Sequence, residues 1–349
     1  MKVKTKKRLL ITASVLLILI IAYLLIALLP VSPNYKGENT MQKEGNLPVL
    51  IAHGGGNKEF PDNTLEAFIN AYSVDKNVMM ETDVSITKDG VVILSHDTTI
   101  DRKTDNVGSI IDWNYSDLVK EGEEVDFGYT NPTENQKLDG ERKHFTNDEG
   151  KEIYPTDVPS IEGFEIPEGV HKRHETKFLA TTLEDLILTF PENKINVEIK
   201  QDGEVGKKCF LEIVRLLEKH DAFDRVVLAS VHSEMYDLYR EWQREGKVPE
   251  CFMYSPATGG VVRYFILHLL GLDRFFTDGM CVFQLPTEQL GFNLAKERLV
   301  RNAHKHNLAV HYWTVNDEDE MRHLIEIGAD GIMTDYPHRL AEVYAEYSK

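Results

Sequence analysis

Apolar runs of strand length recur along most of the chain, each bounded by polar or turn residues. In order they are VLIAH, VMMETDVSI, VVILSH, INVEIK, VVLASV, CFMY, MCVFQL, LAVHYWTV and GIMT. Between several of them lie segments with helical spacing. NTLEAFINAYS is apolar at 65, 68, 69 and 72, KKCFLEIVRLLEKH at 210, 211, 213, 214, 216 and 217, and EDEMRHLIEIG at 321, 324, 325 and 327. Strands alternating with amphipathic helices predict a parallel sheet. VVILSH follows ETDVSI after only TKDG, too short for a helical crossover, so that pair is predicted to be an antiparallel hairpin. The other eight strands suit a closed α/β barrel, a (β/α)8 TIM barrel over residues 47–349.

Three stretches fall outside this rhythm. MKVKTKKR is basic without an acid, and LLITASVLLILIIAYLLIALL then runs apolar from Leu9 to Leu29. At about 1.5 Å per residue that run covers a hydrocarbon core roughly 30 Å thick. A cleaved signal has a shorter apolar region and a small-x-small site. Here the run is longer and ends in LLPVSP, so residues 1–30 are expected to be a basic tail and an uncleaved transmembrane helix. The basic flank places the tail in the cytoplasm and the rest on the extracytoplasmic side of the cell membrane, in a single pass. Residues 31–46 are polar and turn-rich and read as a flexible tether. Residues 112–180, after the third strand, are rich in Asp, Glu, Asn, Gly and Pro without clean periodicity and read as an insertion. Their aromatic residues favour an ordered cap, because disordered segments are poor in them.

The segment GGVVRYFILHLLGLDRFF, residues 259–276, is too short and interrupted to span a bilayer. Two readings are open: a buried helix of the barrel's outer ring, or an apolar element that dips into the outer leaflet beside the anchor and guides lipid-like substrates. The net charge of −18 includes the basic tail, so the remainder is more acidic still, which argues against a nucleic-acid partner. Three cysteines make no spaced framework.

The chemistry centres on IAHGGGNKEFPDNT, residues 51–64. An HGGG loop serves some α/β-hydrolases, but no serine here sits in G-x-S-x-G. The P-loop and G-x-G-x-x-G patterns are absent as well. Other predicted strand ends supply ETD, with Glu81 and Asp83 on one face, SHD with His96, and VEIK with Glu198 and Lys200 on one face. Three carboxylates at strand C-termini repel one another unless a cation sits among them, and oxygen-only ligation suits Mg²⁺ or Ca²⁺. His53 and His96 would flank that metal as an acid–base pair, the set that phosphodiester cleavage requires.

With these motifs together, the chain resembles the glycerophosphodiester phosphodiesterase family over about residues 49–340. The resemblance rests on His53 with Gly55, DNT where the family has Glu-Asn-Thr, ETDVSITKDGVVILSHD, RKT at 102–104, NVEIK, WTVN at 313–316 and DGIMTDYP at 330–337. It implies acid–base roles for His53 and His96 and metal ligation by Glu81, Asp83 and Glu198. It further implies a phosphate-facing Lys200 and an aromatic pocket wall at Trp313. Gly55 would let the backbone approach the substrate. Gly54 stands where the family carries a phosphate-contacting arginine. Lys58, Lys200 or Arg102 would partly replace that contact, although a lysine is a point charge and does not reproduce the guanidinium fork. The implied activity is hydrolysis of glycerophosphodiesters to glycerol 3-phosphate and an alcohol. Two alternatives are a lysophospholipase D acting on lysophospholipids and an inactive barrel kept as a binding module.

Overall fold

The computed structural model describes residues 2–27, 30–130, 143–170, 174–256 and 258–347. The end of the apolar run at Leu28–Leu29 and parts of the insertion (131–142 and 171–173) lie outside the described residues. All nine predicted strands form. They are β1 (Val49–His53), β2 (Met79–Ile86), β3 (Val92–Leu94), β4 (Ile195–Ile199), β5 (Val226–Ala229), β6 (Met253–Tyr254), β7 (Val282–Leu285), β8 (Ala309–Tyr312) and β9 (Gly331–Thr334). Eight run parallel in the order β6-β5-β4-β2-β1-β9-β8-β7. β3 lies off this path, antiparallel to β2 with Val84 opposite Leu94, as the short TKDG link requires. The Cys281 N–H donates to the Tyr254 carbonyl at 3.4 Å, which brings the free edges of β7 and β6 together into a nearly closed barrel.

The longer helices after the first wrap this sheet. In chain order, with that first one, they are α1 (Lys2–Ala27), α2 (Leu65–Val74), α3 (Leu183–Thr189), α4 (Gly203–Lys219), α5 (Ser233–Arg244), α6 (Thr258–Leu269), α7 (Glu297–Lys305), α8 (Glu318–Glu326) and α9 (Pro337–Tyr347). Caps mark several starts: Thr64 accepts from the Ala67 N–H, and Thr182 and Asp185 form a reciprocal capping box. The strands are buried on both faces, and Val197, Leu228, Val310 and Ile332 are fully buried with Phe210 of α4 and Leu324 of α8.

α1 is long and apolar enough to cross a membrane, and over its span Lys6–Ile26 none of the apolar window is buried. The expected tether behaves otherwise. Tyr35 and Met41 are buried under the barrel with Ile51, Met79 and Val282. The Asn39 amide donates to the carbonyls of Cys281 and Asn307 at 2.7 and 2.8 Å. Residues 34–41 thus plug the N-terminal mouth of the barrel, a use for polar residues that composition alone does not distinguish from a linker. The insertion is ordered where it is described. Phe127, Phe145, Ile153 and Phe178 form a second apolar cluster with Phe60, Ile93 and Ile110.

Candidate active site

Strand register builds the site. In the parallel β1–β2 pair His53 lies beside Glu81, and in the β2–β4 pair Asp83 lies beside Glu198. Residues level with one another on adjacent strands point to the same side, and Glu81 and Asp83 share that side by the two-residue period. One imidazole and three carboxylates therefore converge at the C-terminal ends of the strands, the face where barrel active sites sit. The ligand oxygens of Glu81, Asp83 and Glu198 lie within 4.8 Å of one another.

The group is electrostatically unbalanced. Burial and the charge of Asp83 push the Glu81 carboxyl up, against the pull of His53 and the Gly54 N–H. That N–H donates to Glu81 Oε2 at 2.9 Å. Lys200 Nζ stands 2.9 Å from Asp83 Oδ1 and 3.1 Å from Glu198 Oε1. The Lys200 ammonium thus pairs with two of the three carboxylates, and one positive charge stands against three. Three converging carboxylate oxygens, outnumbering the one ammonium beside them and with no sulfur, fit a hard divalent cation.

Each histidine is held by a carboxylate through Nδ1. His53 Nδ1 lies 2.6 Å from Asp335 Oδ1, and His96 Nδ1 lies 3.1 Å from Asp97 Oδ1. Burial opposes protonation of His53, but the hydrogen bond to Asp335 and the charge of Glu81 outweigh it and raise the imidazole to about 9. The Asp97 hydrogen bond raises His96 as well. Asp335 is fixed in turn by the Asn316 amide, 2.7 Å from its Oδ2. Asn63, the middle residue of DNT, donates to Asp83 Oδ2 at 3.2 Å and accepts from Thr82 at 2.7 Å.

Three candidate residues sit differently from the expectation. Arg102 does not reach toward the carboxylate group. Its guanidinium bonds Asp62 at 3.0 and 2.8 Å and Asp97 at 2.5 Å. It ties the DNT loop to the segment carrying His96, so its fork is already satisfied and does not stand in for the missing arginine. Lys58 lines a separate cavity with Asp148 and His338. Gly55 faces α2: at φ +86° a Cβ there would meet the Ala67 Cβ at 2.7 Å, so helix packing explains this glycine. Sequence reasoning left Asp335, Asn316, Asp97 and Asn63 without roles, although all four lie inside the quoted motifs. For Asp335 the available signal was a polar residue directly beyond a strand end, and the other three lie further along their loops.

Beside the carboxylates opens a largely apolar cavity of about 450 Å³. Glu198 and Trp313 line one part of it, and α6 contributes Val262, Phe265, Ile266 and Leu269. The short hairpin over 288–293 adds Leu290 and Phe292. Trp313 is 44% exposed.

A nearly closed parallel barrel with a cation-ready acidic group and two carboxylate-held histidines on its C-terminal face has the form of a barrel hydrolase. The model of the glycerophosphoryl diester phosphodiesterase family matches residues 53–339, and the chain belongs to that family. A lysophospholipase D of Mus musculus, GDPD1, is 25% identical over 329 residues, covering 88% of this chain and 89% of its own. A glycerophosphodiester phosphodiesterase of Caldanaerobacter subterraneus subsp. tengcongensis is 24% identical, covering 84% of this chain and 96% of its own. Among solved structures, an Oleispira antarctica phosphodiesterase in complex with the product sn-glycerol-3-phosphate shares the fold. Its TM-score is 0.57 at 18% identity, covering 86% of this chain and 97% of that one.

Proposed function

We propose that the protein hydrolyses glycerophosphodiesters to glycerol 3-phosphate and an alcohol, with Mg²⁺ or Ca²⁺ held by Glu81, Asp83 and Glu198. The observation that carries this reading is the convergence of three carboxylates between two carboxylate-held histidines. A bound divalent cation there supplies charge neutralisation of the phosphate. His53 and His96 move the protons. With Nδ1 of each engaged by Asp335 or Asp97, Nε2 is the nitrogen left for substrate. The neighbouring glycerol hydroxyl attacks phosphorus and gives its proton to one imidazole. The departing alkoxide takes a proton from the other, and water then opens the cyclic phosphate with the roles reversed. Lys200 faces the phosphate as a point charge, and Trp313 walls the pocket. Family membership, the phosphodiesterase relative and the product carried by the Oleispira structure support this reaction class.

A second reading of the substrate is favoured by the apolar cavity beside Glu198. A water-soluble glycerophosphodiester has no use for that surface, whereas a lysophospholipid presents the same phosphodiester with an acyl chain attached. The lysophospholipase D relative supports this reading. In either case α1 anchors the chain in the cell membrane in a single pass, with its basic end cytoplasmic and the barrel on the extracytoplasmic side. The test offers purified full-length protein glycerophosphocholine and lysophosphatidylcholine side by side with Mg²⁺ or Ca²⁺ and measures choline release. Release from either supports the reaction, the faster substrate decides the class, and release from neither returns the barrel to a binding module.

A further inference from the structure

Outside α1, more than half of the large hydrophobic side chains exposed among the described residues line a single cavity. Val231, Val262, Ile266, Leu269, Leu290 and Phe292 are among them, with Leu290 88% exposed. Exposed apolar surface gathered in this way marks an interaction site. The neighbouring anchor identifies the partner. The Tyr23 hydroxyl, near the end of α1, donates to the Leu270 carbonyl at 2.9 Å. The Arg274 guanidinium donates to the Ile26 carbonyl at the same end. Tyrosine and arginine at the end of an apolar span are membrane-interface residues. Residues 270–274 directly follow α6, so both contacts hold the outer end of the anchor against the end of the helix that lines the cavity. Leu270 and Phe275, also exposed, continue the apolar face beyond the cavity. Arg263 on α6 is paired with Asp278. The barrel domain is acidic as a whole, so attraction to anionic headgroups does not account for docking, whereas apolar contact does.

We propose that α6 and the 288–293 hairpin are immersed in the outer leaflet of the membrane that α1 crosses, and that the cavity is a lateral portal for the acyl chain of a lysophospholipid. The chain slides from the leaflet along Leu269, Ile266 and Val262 while the phosphodiester reaches Glu198 and Trp313, so the substrate never leaves the bilayer. This rests on the lysophospholipid reading above. It adds where substrate enters and which surface recognises it. Because α1 and α6 are joined at Leu270 and Arg274, the anchor sets the height of the portal as well as tethering the enzyme.

Two measurements on the full-length chain in phosphatidylcholine vesicles test it. A nitroxide is placed at Leu290→Cys with Cys251, the exposed native cysteine, replaced by serine. Power-saturation spectroscopy is expected to show collisions with oxygen exceeding those with a water-soluble nickel chelate, as for a label within α1. Dominant collisions with the chelate, or spin–spin broadening from a second copy, overturn the portal. Separately, Leu270→Glu with Phe275→Glu alters the membrane face without lining the cavity. Activity on long-chain lysophosphatidylcholine in vesicles is expected to fall about tenfold or more as the portal loses its contact with the leaflet, while activity on monomeric hexanoyl lysophosphatidylcholine stays unchanged. Equal loss on both substrates, or no loss on vesicles, overturns the proposal. If wild-type protein cleaves glycerophosphocholine but no lysophosphatidylcholine of any length, the substrate reading fails, and the label depth still decides separately whether the surface meets the membrane.

Discussion

His53 and Asp335 meet at 2.6 Å across the seam between the first and last barrel strands, Nδ1 against Oδ1. The contact fixes the imidazole's orientation and tautomer and favours its protonated form. Asp335→Asn removes the charge but keeps the shape. The limb of the rate–pH profile that reports His53 is expected to move to lower pH, because the first of the interactions that raise the imidazole to about 9 is lost while the charge of Glu81 remains. A bound cation offsets part of the neighbouring carboxylate charge, so the comparison is made at saturating metal. An unmoved profile would show that Asp335 does not govern this histidine.

His53→Ala and His96→Ala are each expected to lower kcat by about 10²–10⁴, the usual worth of a positioned acid or base. The fold should survive, since neither ring is part of the apolar core. Single-turnover kinetics checks this. A variant that keeps most of its rate removes that histidine from the chemistry.

Glu198→Gln should weaken divalent-metal binding measured by calorimetry and abolish turnover together. The substitution keeps volume and removes one of three converging charges. Lys200 would retain Asp83 as a partner at 2.9 Å, so gross unfolding is not expected.

Asp62 is buried between two cations, with Lys103 Nζ at 2.9 Å and the Arg102 fork at 2.8 and 3.0 Å. Burial opposes its ionisation, but Lys103 and Arg102 win and hold the carboxyl well below its ordinary value. A depressed carboxylate contributes stability that is present above the unfolded value, about 3.9, and is lost as pH falls through the folded one. Asp62→Ala leaves Lys103, only 3% exposed, without its carboxylate. A loss of about 3–5 kcal/mol near neutral pH is expected from denaturant unfolding, since removing one partner leaves a buried charge uncompensated. A loss below about 1 kcal/mol, the value of a surface pair, would contradict the geometry.

The barrel was legible because its signals are local. Nine apolar runs with the right spacing gave nine strands, and the four-residue TKDG link alone separated hairpin from crossover. The carboxylates were legible because a two-residue spacing on a strand fixes a shared face. What stayed hidden depends on contacts between distant segments. Asp335 joins His53 only once β9 closes on β1. Arg102 looked free for phosphate until the fold placed Asp62 and Asp97 around it. Residues 34–41 read as a linker because burial of Tyr35 and Met41 requires a barrel mouth that no local pattern announces. Gly54, in place of the family's arginine, sits at φ +54° with a Cβ position 3.2 Å from the Asp62 Cβ, so the loop here is shaped around glycine.

The proposed catalysis turns on a hard cation at Glu81, Asp83 and Glu198, and one measurement tests it most directly. Full-length protein is stripped with excess EDTA, then given Mg²⁺ or Ca²⁺, and choline release is followed from glycerophosphocholine and lysophosphatidylcholine. Activity is expected to vanish in the chelator and return with the metal on at least one substrate. Full turnover in excess EDTA would contradict it.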